Sequence, residues 1–111
     1  MTQASNEPGT PDGIHMAVYA IARISIHDRA RYDRYAAAFL PTLAPYGGTL
    51  LAADEAPVAI EGILDCGKVI LLRFPDMQSF RAWESSPEYR AIAVDRREAT
   101  TGTVLVVNAL A

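Results

Sequence analysis

The seven residues Lys68–Phe74 (KVILLRF) constrain this chain more than any other segment. In a strand, successive side chains alternate between two faces. Here both faces are apolar: Val69 and Leu71 on one side, Ile70, Leu72 and Phe74 on the other. Thr103–Val107 (TVLVV) repeats the pattern, with Leu105 and Val107 opposed to Val104 and Val106. An antiparallel sheet with one wet side alternates apolar with polar residues. These strands do not, so the sheet they enter must be dry on both sides.

The chain has 111 residues, enough for one domain. It is 50% hydrophobic and 21% charged, the composition of an ordinary globular protein. Ten basic residues against thirteen acidic ones give a net charge of −3 and no basic footprint, so nucleic acid is not an expected partner. The longest apolar stretch, around residues 36–46, is broken by Pro41, Thr42 and Pro45 and falls short of the ~20 residues of a membrane span. The N-terminus lacks the basic region and apolar core of a signal peptide. A single cysteine, Cys66, permits no disulfide within the chain, and the expected location is cytoplasmic. Residues 1–15 hold two prolines and two glycines and few apolar side chains; they are expected to form a disordered tail before a folded domain at 16–111.

Within that domain, residues 17–26 read as a strand, with Val18, Ala20, Ala22, Ile24 and Ile26 on one face and Tyr19, Ile21, Arg23 and Ser25 on the other. Asp28 offers an N-cap for a helix running to about Leu40, whose Tyr32, Tyr35, Ala36, Phe39 and Leu43 fall at helical spacing. Pro41 ends or kinks it, and Gly47-Gly48 stops what remains. Residues 49–53 and 58–61 read as short strands, then Lys68–Phe74. Asp76 caps a helix bearing Met77, Phe80 and Trp83. Ser86-Pro87 opens a further helix with Tyr89, Ile92, Ala93 and Arg96 on one face, and Gly102 is expected to break it before the last strand. With the 58–61 strand set aside as a hairpin decoration, the order is βαββαβ. That is the split βαβ, or ferredoxin-like, plan: an α+β fold whose crossovers lie on one face of an antiparallel sheet. The other, apolar face is bare in a monomer, and such a face marks an interaction surface. A second copy in a twofold homodimer is its simplest cover; the tail or a loop is the alternative, although no loop looks long or apolar enough.

Two arginines stand out. Taking the two central strands as parallel places Arg23 and Arg73 side by side near their carboxyl ends, pointing away from the helices. Guanidinium groups so close need negative charge, because arginine cannot shed its proton. An anionic or enolic ligand held by bidentate hydrogen bonds would supply it, as would a network with Glu61, Asp54 or an acidic residue of a second subunit. Tyr19 shares the face of Arg23 and would orient a ligand hydroxyl. Trp83 is either core, with Phe80 and Met77, or a ligand-stacking platform. Arg96 either reaches a cavity mouth or runs along the apolar body of Tyr89. His27, beside Asp28, is a solvated turn residue or a base. Two histidines and one cysteine stand at no metal-ligand spacing, and no glycine-rich phosphate loop occurs, so no cofactor is expected.

The ordered set Asp28, Tyr32, Tyr35, Pro41, Tyr46-Gly47-Gly48, Glu61-Gly62, Phe74-Pro75, Trp83, Ser86-Pro87-Glu88-Tyr89 and Arg96 or Arg97 resembles the DUF1330 family, from about Met16 to Leu110. The resemblance implies a dimeric α/β barrel of ferredoxin-like domains. That superfamily also holds small cofactor-independent monooxygenases, muconolactone isomerase-like proteins and stress-response proteins. The family brings no established reaction with it. The position after Gly-Gly, often basic in the family, is Thr49 here. The combined expectation is a homodimer that binds a small anionic or polyoxygenated molecule in a cleft between sheet and helices. Tyr19, Arg23 and Arg73 would hold it, with Trp83 and Arg96. The rivals are a cofactor-independent monooxygenase- or isomerase-type enzyme, in which arginines stabilise an enolate and a tyrosine or histidine moves a proton, and a dimeric accessory module without a ligand.

Overall fold

The computed structural model describes residues 16–110; the tail expected at 1–15 lies outside them. Strand β1 (Val18–Ile26) leads into helix α1 (Arg29–Phe39), and two short 3-10 turns follow at Leu40–Thr42 and Ala44–Tyr46. Strands β2 (Thr49–Asp54) and β3 (Lys68–Phe74), helices α2 (Met77–Glu84) and α3 (Pro87–Ala99) and strand β4 (Thr100–Asn108) complete the chain. The three helix starts are set by side-chain oxygens that accept otherwise orphaned backbone N–H groups. Asp28 accepts from Arg31 N at 3.1 Å, Asp76 from Ser79 N at 2.7 Å, and Ser86 from Tyr89 N at 3.2 Å. Helix α1 stops one residue before Leu40-Pro41, and Gly47, at φ 72°, closes the second 3-10 turn by donating its N–H to Ala44 O.

The four strands form one sheet in the order β2-β3-β1-β4 with every neighbouring pair antiparallel. This is the ferredoxin-like α+β plan. It corrects the expectation that β1 and β3 run parallel: each crossover returns the chain parallel to the strand it left, and the intervening strand fills the gap in the opposite direction. The helices cover one face, and beneath them Val18, Ala20, Ile24, Ile70, Leu72 and Phe74 are buried. Arg31 of α1 donates to Asp95 of α3 at 2.8 Å, which ties the two longer helices together.

Two further expectations change. Residues 58–61 form no strand: they lie exposed in the connection from β2 to β3, and no strand among the described residues pairs with them. The last strand begins at Thr100, and Gly102 sits inside it instead of breaking the helix. Gly102 pairs with Ile24, and a Cβ there would stand 2.0 Å from the Arg23 carbonyl oxygen. Its φ of 147° and that close approach make glycine necessary at this point of the ladder.

Candidate functional site

Small residues on β1 open a space under the helices. Ala20 and Ala22 are successive inward positions, and above them lies a cavity of about 100 Å³. Ile70 and Leu72 of β3 and Val104 of β4 complete its floor; Tyr35, Phe39, Phe80, Trp83 and Tyr89 form its aromatic walls, with Arg96 at the polar end. Trp83 is buried and lies against Tyr89, ring centroids 3.9 Å apart and planes tilted by 38°. Its indole N–H is satisfied by Thr42 Oγ1 at 3.0 Å, and Thr42 in turn donates to Phe39 O at 2.7 Å. Trp83 is therefore a fixed wall whose polar atom is already engaged.

The polar end is different. Tyr35 and Tyr89 place their hydroxyl oxygens 3.1 Å apart, and Arg96 Nε donates to the Tyr89 hydroxyl at 3.3 Å. Burial pushes the Tyr35 phenol well above its ordinary pKa, and the neighbouring Tyr89 adds to the shift. For Arg96, burial works against the charge, but the two tyrosine hydroxyls more than offset it, so the guanidinium pKa is raised. Two phenols and one guanidinium face one another; one phenol proton serves the Tyr35–Tyr89 bond, and the other has no acceptor among the described residues. No carboxylate among the described residues lies within ion-pair distance of Arg96. Glu84 lines the cavity as well, but it is exposed.

A neighbouring cleft sharpens the contrast. About 140 Å³ in volume, it lies behind Tyr35, Phe39 and Ile70, between α1 and β2. Its one cation, Lys68, is satisfied: the ammonium sits 3.5 Å from Glu55 Oε2 and 4.7 Å from the centroid of the Tyr32 ring.

The structure divides the five residues singled out from sequence. Trp83 and Arg96 meet at the cavity. Tyr19, Arg23 and Arg73 lie on the helix-free face, on the far side of the sheet. Because β1 and β3 are antiparallel, Arg73 stands opposite Tyr19 and Thr49 whereas Arg23 stands opposite Val69. The two arginines are four positions apart along the ladder, ~13 Å at strand rise. They are not the adjacent pair expected, and neither faces the space between sheet and helices. Arg23 pairs with Asp65, a carboxylate the sequence reading did not name. Arg73 is exposed, with no ion pair among the described residues. His27 is exposed beside the α1 cap. The sequence places Tyr35 and Tyr89 on the apolar stripes of their helices and marks neither as a site residue. The available signal was the seven-residue spacing of Tyr89 and Arg96, which sets a phenol and a guanidinium on one helix face.

Among the described residues no group of histidine, cysteine, aspartate and glutamate is placed to hold a metal ion, and no helix is long and apolar enough to cross a membrane.

Fold and cavity define a ferredoxin-like α+β protein with an aromatic pocket under its helices. Residues 17–110 match the family described as Domain of unknown function (DUF1330), and the chain belongs to it. No curated protein matches the chain. Solved structures share the fold. A protein of unknown function from Rhodopseudomonas palustris is 15% identical, with 88% of this chain and 85% of that one covered at a TM-score of 0.72. SnoaB, a cofactor-independent oxygenase from Streptomyces nogalater, is 18% identical, with 86% and 95% covered at 0.64. A dimeric ferredoxin-like protein of unknown function from Thermobifida fusca is 16% identical, with 86% and 92% covered at 0.62.

Proposed function

We propose that this protein is a homodimer that binds a small anionic or polyoxygenated molecule in the cavity between sheet and helices, at Arg96, Tyr89, Tyr35 and Trp83. One observation carries this reading: the polar end of the cavity has more donors than acceptors, with one phenol proton lacking an acceptor and Arg96 lacking a carboxylate partner among the described residues. A carboxylate, enolate or phenolate oxygen placed there accepts from the guanidinium and from the free phenol proton together, while a planar body lies against the Trp83–Tyr89 wall. The Tyr19, Arg23 and Arg73 face is assigned instead to contact with the second copy. The homodimer is supported by the uncovered apolar face and by the likeness to the dimeric protein from Thermobifida fusca.

Turnover of that ligand is the second reading. The likeness to SnoaB favours it, together with Arg96 and the phenol pair, which would stabilise by hydrogen bonds the enolate of a ligand that gives its proton to solvent.

A thermal-shift screen of small carboxylates, phenols and quinols tests the binding reading. Hits should raise the melting temperature of the wild type, and Arg96→Met should weaken each by roughly tenfold or more, the loss of one charge-assisted hydrogen bond. Identical responses of the two proteins would reject the site. Oxygen uptake with the quinol hits separates turnover from binding.

A further inference from the structure

The connection between β2 and β3 has the composition of a core and the exposure of a surface. Val58, Ile60 and Ile63 are 78%, 87% and 93% exposed, and Leu64 is 44% exposed. Nothing in the described chain covers them. Yet the segment is not loosely attached. At one root Asp54 accepts from Ala56 N at 2.8 Å, and Glu55 is gripped by both terminal nitrogens of Arg29, at 2.6 and 3.0 Å, and by Lys68. At the other root Asp65 pairs with Arg23, and Gly67 N donates to Ile24 O at 2.9 Å. Between them Gly62 turns the chain at φ 82° with open space where a side chain would stand. The segment therefore leaves and rejoins the domain at two anchored roots.

We propose that residues 55–67 form an intersubunit arm whose Val58, Ile60, Ile63 and Leu64 pack on a second copy of this chain. The inference rests on the homodimer proposed above. Three observations point to a second copy as the occupant. The arm is continuous with the open sheet face, because Arg23, which holds Asp65 at the arm's root, is a residue of that face. The arm would enlarge the contact: four strands ~4.8 Å apart and about seven residues long at ~3.4 Å each give the open face a flat footprint of roughly 450 Å², and the arm extends it at one edge. Finally, arm and face are complementary: one is an apolar projection without a seat, the other an apolar seat without a cover. A twofold axis satisfies both twice over, since residue i then meets j and j meets i. The same contact explains why residues 58–61 read as a strand in sequence and lie unpaired in the single chain.

The test compares solution mass by size exclusion with light scattering, over a dilution series, for wild type, Ile60→Asp with Ile63→Asp, and Leu105→Asp on the open face. Far-UV circular dichroism checks each fold; the arm positions are exposed, so the double variant should keep its spectrum. Val58→Lys gives the same reading should that variant misfold. The expected result is a wild-type dimer whose dissociation constant rises by roughly 100-fold in the arm variant, the size of an interface hot spot, and rises as well in Leu105→Asp. A wild-type dimer with an unchanged constant in the arm variants overturns the arm and leaves the homodimer standing. A wild type that is monomeric throughout overturns the homodimer and the arm together.

Discussion

Leu72 and Leu105 flank the middle of β1 from either side, in strands of similar apolar content. Leu72, facing the helices, is 5% exposed; Leu105, facing away from them, is 43% exposed. On the helix side the buried aromatic rings meet one another: Phe74 lies against Phe80 and Trp83, Trp83 against Phe39 and Tyr89, and Tyr35 against Tyr89. On the far side Tyr19, Ile21, Leu71, Leu105 and Val107 have no layer above them among the described residues. The difference lies in connectivity more than in residue choice. Right-handed crossovers place both helical connections on one face, so the helices seal only one side of the sheet. A sequence that makes both sides apolar leaves the second side for a cover that these helices do not supply.

The largest expected effect contrasts the two faces directly. Phe74 is wholly buried at the centre of the aromatic cluster, so Phe74→Ala should cost about 3–5 kcal/mol in urea unfolding. Leu105→Ala should change the unfolding of the dilute chain by less than about 1 kcal/mol and weaken association instead. Equal losses at the two positions would mean that both faces are core within one chain.

Gly102→Ala comes next. A methyl group there meets the Arg23 carbonyl in a backbone conformation that side chains rarely adopt. The variant should lose at least ~2 kcal/mol, with amide exchange quickening along the β1–β4 ladder. Unaltered stability would show that β4 is not seated on β1 as described.

The smallest effect is electrostatic and acts on both regions. Hydrogen bonds from Arg31 and then Arg34 hold the Asp95 carboxyl below the ordinary carboxylate range, and Arg29 does the same for Glu55 at the arm's root. Groups whose folded pKa is lowered stabilise the fold fully above their unfolded value, near ~4, and lose that contribution as pH falls through the folded one. The melting temperature should therefore decline modestly once the pH drops below about 4, and Asp95→Asn should flatten the decline. A melting temperature indifferent to acid would remove both clasps from the account.

Much of the fold was legible because its signals are local. Asp28, Asp76 and Ser86 each cap the helix they precede, and a cap needs only a side-chain oxygen three residues before a backbone N–H. Lys68–Phe74 and Thr103–Val107 declare themselves by alternation. What was not legible depends on partners distant in sequence. Whether β1 runs with or against β3 is settled by which strand each crossover leaves room for, and that choice moved Arg23 away from Arg73. Gly102 looks like a helix breaker until the Arg23 carbonyl is seen beneath it. Tyr35 and Tyr89 stand on the stripes of separate helices, and only the packing of α1 on α3 brings their hydroxyls together. Residues 58–61 have the pattern of a strand and, in the single chain, nothing to pair with.

The claim beneath all of this is that one layer of helices covers half of an apolar sheet and another molecule covers the rest. Sedimentation equilibrium of the wild-type protein at low micromolar concentration reads it most directly. The account predicts a species of twice the chain mass; a single chain mass at every concentration, with the open face still in water, would contradict it.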